Sequence, residues 1–256
     1  MTIHPMRSRD ESPGRAAVVT GGSSAIGCAT AKRLARAGYL VVLGARRVEV
    51  CEVVAAELQA EGATAFAVPL ELADIASIDS FVRAVGYLVG AVDALVFNAG
   101  RSWPGDSSGM DAAAMRDDFD TNALGAQHLA AKLMPAMTEK GSGDVVFVSC
   151  EVAVSGMAAS SASTAALETW SAMLQAELEG TGVRVSIVRT GMTMTEDPSA
   201  TGLRGMLMAW PPKNALRERN PVDLDDISRA VATVIDRPNR GALRAVEANE
   251  RIGAVL

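Results

Sequence analysis

Short apolar runs alternate with longer amphipathic segments along most of the chain. The runs are rich in Val and Leu and lie at 16–20, 39–45, 64–70, 93–99, 144–149 and 184–190. The alanine-rich segments between them have helix length, at about 26–37, 48–61, 76–90, 112–138, 158–180 and 222–236, and a last strand is expected near 242–246. Near-continuous apolar strands separated by helices indicate a parallel sheet covered on both faces. The pattern predicts an α/β, doubly wound architecture with about seven strands.

Length and composition fit this picture. The chain has 256 residues, 49% of them hydrophobic, which is enough to bury one large core. We expect a single domain over 15–256 behind a flexible polar tail at 1–14. The segment 192–217 departs from the pattern because it is irregular and rich in Met, Gly and Pro. It is either a flap over an apolar ligand on the substrate side or a surface loop whose methionines fill gaps in the core.

Charge and cysteine content exclude several classes of function. A net charge of −6 and a pI near 5.1, without a long run of like charges, argue against nucleic acid or an anionic membrane as partner. The three cysteines are widely spaced, so neither a disulfide framework nor a metal site is indicated. The sequence shows no apolar segment of membrane-spanning length. We therefore expect a cytoplasmic protein whose partners are small molecules or other proteins.

The first candidate site is the stretch TGGSSAIG, Thr20 to Gly27, which follows the first strand and opens a helix. Glycines at such a turn let the backbone approach a pyrophosphate, and the helix N-terminus presents unpaired N–H groups to it. A glycine-rich turn alone is weak evidence, but its place at the start of a βαβ unit strengthens it.

With the motifs that follow it, the chain resembles the short-chain dehydrogenase/reductase family. The family's turn reads T-G-x-x-x-G-x-G, which Thr20, Gly21 and Gly27 match, while Ala25 replaces the middle glycine. NAG at 98–100, FDTNALG at 119–125 and VVFVSC at 145–150 follow in the family's order. The resemblance covers about 16–247 and implies a single Rossmann-type domain.

The resemblance also implies a nucleotide site. At the end of the second strand, in LGARR, Ala45 stands where an acidic residue would select NAD(H), and Arg46 follows. Arginine offers a fork of donors to a 2′-phosphate, and Ser23 lies where a hydroxyl can join it, so we predict NADP(H). The alternative is that the arginines only solvate a surface turn. The predicted cofactor-binding residues are Gly21, Ser23, Ser24, Ile26, Gly27, Arg46, Arg47, Glu71, Leu72, Asn98, Ala99, Gly100, Gly191, Thr193 and Thr195.

The catalytic positions depart from the family. Aligning MAASSASTAALE, 157–168, with the family's M-A-A-Y-S-A-S-K-A-A-L-E puts Ser160 at the tyrosine that protonates the carbonyl oxygen and Thr164 at the lysine that assists it. Cys150 aligns with the family's serine, although a register shift would bring Ser149 there. Asn122 alone is kept, and Glu151 is an alternative acid. The loop EVAVS at 151–155 is about three residues shorter than usual.

Two functions follow as alternatives. The first is an NADP(H)-binding oxidoreductase homologue without the Tyr-Lys relay: a silent subunit, of which the family has examples, or an atypical non-redox protein. The second is an unorthodox NADPH-dependent reductase acting on an apolar small molecule. A protein that no longer binds nucleotide fits less well, because the glycine turn and Arg46 occur together. The resemblance implies a homo-oligomer, dimer or tetramer, or a hetero-oligomer with an active relative, through the helices at 112–138 and 158–180.

Overall fold

The computed structural model describes residues 14–101, 111–150, 158–191, 222–237 and 243–248, without the side chain of Cys150. Both the predicted tail at 1–14, apart from residue 14, and the predicted flap at 192–217 lie outside these ranges. The strands are β1 Ala16–Thr20, β2 Leu40–Ala45, β3 Ala65–Pro69, β4 Ala94–Phe97, β5 Gly143–Cys150, β6 Val183–Thr190 and β7 Ala245–Ala248. The helices are α1 Ala25–Arg36, α2 Val48–Ala60, α3 Ile75–Leu88, α4 Ala112–Phe119, a π-helical turn Asp120–Leu124, α5 Gly125–Lys140, α6 Ala158–Glu177 and α7 Leu224–Ile235.

The seven strands form one sheet in the order β3-β2-β1-β4-β5-β6-β7, and every pair is parallel. This confirms the predicted doubly wound α/β architecture. The chain reverses direction across the sheet between β1 and β4, because β2 and β3 extend to one side of β1 and the later strands to the other. Ligands of such sheets bind outside the carboxyl ends of the strands at this switch point.

The sheet is buried on both faces, as its unbroken apolar strands require. On one face Phe97 and Phe147 stack with ring centroids 4.9 Å apart, and Phe81 of α3 and Leu129 of α5 belong to the same apolar cluster. On the other face Leu43 and Val96 pack in a cluster that includes Leu34 of α1. Alternate residues of each strand thus enter opposite layers of the core, which hold the strand ends in fixed positions.

One predicted helix is interrupted. The sequence predicts a continuous helix over 112–138, but the structure has α4, a π-helical turn at Asp120–Leu124, and then α5 to Lys140. No glycine or proline occurs in 112–124 to announce the change, since Gly125 and Pro135 both come later. A π-helical turn inserts one extra residue per turn, and such turns frequently occur at functional sites. Asn122 lies within this one.

Candidate functional site

The carboxyl ends of the strands bring most of the predicted cofactor-binding residues to one edge of the sheet. Gly21 follows β1, Arg46 follows β2, Glu71 lies two residues beyond β3, Asn98 follows β4 and Gly191 follows β6. Segments more than 100 residues apart in sequence therefore meet there. Thr193 and Thr195 lie outside the described residues.

The glycine turn depends on two glycines. Gly21 has φ +64°, a left-handed conformation that favours glycine, and a Cβ there would lie 2.8 Å from Cα of Ala99. A Cβ on Gly27 would lie only 2.2 Å from the carbonyl oxygen of Gly21. The turn and the start of α1 therefore pack too closely for any side chain at these two positions. Ala25, at the family's middle glycine, is accommodated as the first residue of α1.

A hydrogen-bond network joins this turn to the end of β4. The Nδ2 group of Asn98 donates to the carbonyl oxygens of Thr20 and Gly21 and to Oγ of Ser24, at 3.2, 3.1 and 3.0 Å. The backbone N–H groups of Asn98 and Ala99 both donate to Oγ1 of Thr20 at 3.1 Å. Asn98 thus fixes the turn from across the switch point.

The N-terminus of α1 is presented at the same place. Ser24 caps the helix, since its Oγ accepts from the N–H of Gly27 at 3.1 Å. Ser23 and Ile26 are half-buried beside it. First-turn N–H groups lack intrahelical acceptors and carry partial positive charge, so this end of the helix suits a phosphate. The tight turn and the open helix end fit a dinucleotide pyrophosphate.

The two arginines after β2 occupy different positions. Arg46 is 57% exposed, with Nε 3.6 Å from Oε2 of Glu71. Arg47 is half-buried and donates from Nη2 to the carbonyl oxygen of Ser23 at 3.2 Å. Arg46 therefore presents its charge to solvent at the edge of the sheet, whereas Arg47 ties α2 to the glycine turn.

Glu71 is held by its own turn and faces Arg46. Its Oε1 accepts from the N–H of Ala73 at 3.3 Å, and its backbone N–H donates to Oγ of Ser77 at 2.9 Å. Leu72 is buried in the core, at 4% exposure, so its side chain packs inside the protein.

The end of β6 is pinned to β7. The N–H of Gly191 donates to the carbonyl oxygen of Ala248 at 3.0 Å, and the hydroxyl of Thr190 donates to the carbonyl oxygen of Gly191 at 3.0 Å. These two bonds hold the segment that follows β6 against β7.

Asn122 holds the segment after β4. Its Oδ1 accepts from the N–H of Arg101 at 2.6 Å, and its Nδ2 donates to the carbonyl oxygen of Arg101 at 2.8 Å. The same Nδ2 donates to Oγ of Ser163 on α6 at 2.9 Å. Asn122 is buried and joins three elements through the π-helical turn.

Ser160 and Thr164 share the buried face of α6, at 3% and 8% exposure. The hydroxyl of Ser160 donates to Oδ2 of Asp118 on α4 at 2.7 Å. Asp118 has no exposed surface. The hydroxyl that the sequence alignment predicts at the tyrosine position therefore belongs to a short side chain bound to a buried carboxyl group.

Ser149 belongs to an ion-pair network between the sheet and α6. Its Oγ lies 2.5 Å from Oε1 of Glu168, and Glu168 also binds the guanidinium of Arg189 through both oxygens, at 2.9 to 3.1 Å. Glu168 holds the pKa of Arg189 above its usual value, so Arg189 keeps its charge. These bonds turn the side chain of Ser149 toward α6. Glu151 lies outside the described residues.

The thiols of Cys28 and Cys51 lie beside the glycine turn. Burial raises the pKa of Cys51 to about 11 and also raises the pKa of Cys28, whose Sγ lies 3.1 Å from the carbonyl oxygen of Gly22. Both stay protonated at neutral pH, and the thiolate is the nucleophilic form.

Across the described ranges we find no helix both long and apolar enough to cross a bilayer.

Comparison with known proteins places the chain in a family. The family model for short chain dehydrogenases matches residues 15–201. The chain belongs to the short-chain dehydrogenase family. Ketoacyl reductase HetN of Nostoc sp. is 32% identical over 202 residues, which make up 75% of this chain and 70% of HetN. The share of the other relatives' length that the chain covers ranges from 16% to 73%.

Solved structures of this family have the same fold. A variant of actinorhodin polyketide ketoreductase, crystallised with NADPH, aligns with a TM-score of 0.85 and 26% identity over 97% of this chain and 100% of that one. A metagenomic short-chain oxidoreductase in complex with NADP aligns with a TM-score of 0.77 and 28% identity, over 91% of this chain and 96% of that one. The chain therefore shares its fold with two oxidoreductases whose structures contain NADPH or NADP.

We did not single out two residues of this candidate site from the sequence. Asp118 lies four residues before Asn122 and Ser163 three after Ser160. Both are completely buried polar side chains, which is unusual unless they are hydrogen-bonded. The available signal was spacing: Asp118 and Asn122 share one side of a helix, as Ser160, Ser163 and Thr164 do.

Proposed function

We propose that this protein binds NADP(H) and does not transfer hydride by the family's Tyr-Lys route. The observation that carries the proposal is the bond from the Ser160 hydroxyl to the buried carboxyl group of Asp118. That hydroxyl gives its proton inward, and the lysine position holds Thr164, which has no charge.

NADP(H) binding rests on the edge of the sheet. The glycine turn and the N-terminus of α1 hold the pyrophosphate, and Asn98 keeps the turn in shape. Arg46 meets the 2′-phosphate from its exposed position, and Glu71 lies beside the adenine. Gly191 borders the nicotinamide end. NADP(H), when bound, supplies or accepts hydride. Two structural relatives bound to NADPH or NADP support this choice over NAD(H).

The tyrosine and lysine side chains that are missing from this chain contribute several orders of magnitude to the rate of ketone reduction in the family. A positioned general acid contributes roughly 10²–10⁴-fold, and electrostatic stabilisation of the developing alkoxide is often the larger effect. Tyrosine has an unperturbed pKa near ~10, whereas an aliphatic hydroxyl is a far weaker acid. Ser160 and Thr164 therefore do not support ordinary ketone reduction, and the protein is a silent subunit or an atypical member.

An assembly with another family member fits the surface of the helices that follow β4 and β5. Met115 of α4, Leu124 of the π-helical turn and Met173 of α6 are 37%, 55% and 58% exposed. Large apolar side chains at a surface are common in interfaces between subunits. A second copy or an active relative in the cytoplasm is the partner we propose for this surface.

A second candidate is an unorthodox NADPH-dependent reductase for an apolar carbonyl compound. One observation favours it: Asp118 and Ser160 place an ionisable group next to the position of the family's proton donor. The likeness to ketoacyl reductase HetN and to a polyketide ketoreductase supports a ketone as the substrate class.

Two experiments test these proposals. In the first, the purified protein is titrated into NADPH and the cofactor's fluorescence is followed; absence of binding at millimolar concentration contradicts NADP(H) binding. In the second, the protein alone is incubated with NADPH and a panel of ketones. No turnover is expected for a silent subunit, whereas steady oxidation of NADPH supports the reductase.

A further inference from the structure

Arg101 follows the Asn-Ala-Gly segment after β4, and the side-chain amide of Asn122 holds its backbone from both sides. The N–H of Arg101 donates to Oδ1 of Asn122 at 2.6 Å, and Nδ2 of Asn122 donates to the carbonyl oxygen of Arg101 at 2.8 Å. Asn122 is buried, at 5% exposure, and its Nδ2 also donates to Oγ of Ser163 on α6. Because buried hydrogen-bond networks are rigid, Arg101 has a fixed position relative to α6.

This position lies between the nucleotide turn and the predicted catalytic residues. Three residues before Arg101, Asn98 donates to the carbonyl oxygens of the glycine turn. On the other side, Ser163 lies in α6 between Ser160 and Thr164. Arg101 therefore borders the space between the nucleotide turn and the face of α6 that carries the predicted catalytic positions.

The guanidinium of Arg101 is only weakly engaged. Its Nη1 lies 3.3 Å from Oδ2 of Asp117 on α4, and the two side chains are 28% and 55% exposed. An ion pair of this kind contributes little to stability, because water competes for both charges. An anionic ligand can therefore displace Asp117 at little cost in free energy.

The other cation at this end of the sheet is bound more firmly. Among the described residues that end or directly follow β4, β5 and β6, the cationic side chains are Arg101 and Arg189. Glu168, whose side chain is 13% exposed, binds the guanidinium of Arg189 through both oxygens at 2.9 to 3.1 Å. Of the two arginines, Arg101 is the one that an incoming anion can engage.

We propose that Arg101 binds an anionic group, a carboxylate or a phosphate, on a ketone that lies against the nicotinamide end of bound NADP(H). A guanidinium presents parallel donors that match two oxygens of either group. Its stem is apolar, so an apolar chain between the ketone and the anion can pack against it. Asn122 is the positioning residue for Arg101. The inference rests on the proposed NADP(H) binding and names the substrate class of the same site, and it holds for a subunit that binds the ketone without reducing it.

The test measures binding and needs no turnover. Wild-type protein is first titrated with NADP. The saturated complex is then titrated by calorimetry with two matched pairs of ketones, levulinate with methyl levulinate and dihydroxyacetone phosphate with dihydroxyacetone. In one pair or both, the anionic member should bind about tenfold more tightly than the neutral one, since a charge-assisted bond replaces a weak exposed pair. The pair that shows the larger preference tells a carboxylate site from a phosphate site.

Four variants assign this preference to Arg101. Arg101→Gln should abolish it, while the Kd values for NADP and for the neutral ketones stay within about twofold of wild type. Arg101→Lys should keep part of it, because an ammonium has the charge without the fork of donors. Asp117→Asn removes the competing carboxylate and should tighten binding of the anionic ketone up to about fivefold. Arg83→Gln is the matched control, because it removes the same charge from an exposed position on α3, where Nη2 of Arg83 binds Oγ of Ser80 at 2.9 Å; all affinities should be unchanged.

Three results would overturn the inference. They are equal or undetectable binding of anionic and neutral ketones by the wild type, a preference that survives Arg101→Gln, and a loss of NADP affinity in Arg101→Gln, which would assign the guanidinium to the cofactor. If Arg101→Gln fails to fold, Asp117→Asn carries the test, and an unchanged affinity for the anionic ketone would then exclude Arg101. A wild-type protein that binds NADP but shows no preference contradicts this inference alone, whereas one that binds no NADP contradicts the proposed function.

Discussion

Replacing Arg46 by glutamine should weaken NADPH binding without affecting NADH. A charge-assisted bond to a phosphate contributes roughly 1.5–3 kcal/mol. The ion pair that Arg46 forms with Glu71 reduces this contribution, because the phosphate must displace Glu71. That pair is 3.6 Å long and its arginine is 57% exposed, so it is worth at most about 1 kcal/mol. The net contribution is about 1.5 kcal/mol, or roughly a tenfold increase in the Kd for NADPH on substitution.

The assay is a fluorescence titration of NADPH and, separately, of NADH with wild-type protein and with Arg46→Gln. The chain offers a matched control in Arg36→Gln, because Arg36 pairs with Glu61 at the same distance of 3.6 Å but lies in the last turn of α1, far along the helix from the glycine turn. Arg36→Gln should leave both affinities unchanged. Measurement at two salt concentrations adds a check, since a contact between exposed charges weakens as salt rises.

Two results would refute this reasoning. If Arg46→Gln weakens NADPH and NADH equally, the arginine supports the fold of the site and does not recognise the 2′-phosphate. If it leaves NADPH binding at the wild-type level, Arg46 only solvates a surface turn, and Arg47, which is bound to Ser23, becomes the residue to test.

Three further predictions concern the turn, the catalytic positions and stability. Gly27→Ala should weaken NADPH binding at least about tenfold, because the new Cβ would lie 2.2 Å from a carbonyl oxygen. The same clash should lower the free energy of unfolding, measured in a urea titration, by about 1–3 kcal/mol. Unchanged values of both would contradict the tight turn. The double variant Ser160→Tyr/Thr164→Lys should bind NADPH with a Kd within about threefold of wild type and should gain ketone reduction, measured as NADPH oxidation. If this variant folds but binds no NADPH, the alignment of α6 with the family is wrong. Burial raises the pKa of Tyr39 from 10.0 to about 12, so folding favours the neutral phenol and this stabilisation, present below pH 10, is lost as pH rises to 12. The wild-type free energy of unfolding should therefore fall by about 2 kcal/mol more than that of Tyr39→Phe over this range, and parallel curves would contradict it.

The sequence by itself determined the architecture and the nucleotide turn. Strands that are buried on both faces have continuous Val-rich sequences, and the helices between them have amphipathic sequences. The order and type of the elements can therefore be predicted from local sequence patterns. Gly21 and Gly27 are equally local, because a turn that admits no Cβ requires glycine at those positions. The absence of tyrosine and lysine from α6 is also visible without coordinates.

Only the tertiary structure decided how the polar groups pair. No periodicity in the sequence indicates that Asp118 of α4 bonds to Ser160 of α6, or that Glu71 turns toward Arg46, since each pair joins segments that lie apart in the chain. The π-helical turn that carries Asn122 has no breaker in its own sequence, and the contacts of Asn122 to Arg101 and Ser163 likewise join segments that lie apart in the chain. A buried polar side chain must find a partner, but which partner it finds depends on the packing of helices against each other, and that packing exists only in the folded molecule.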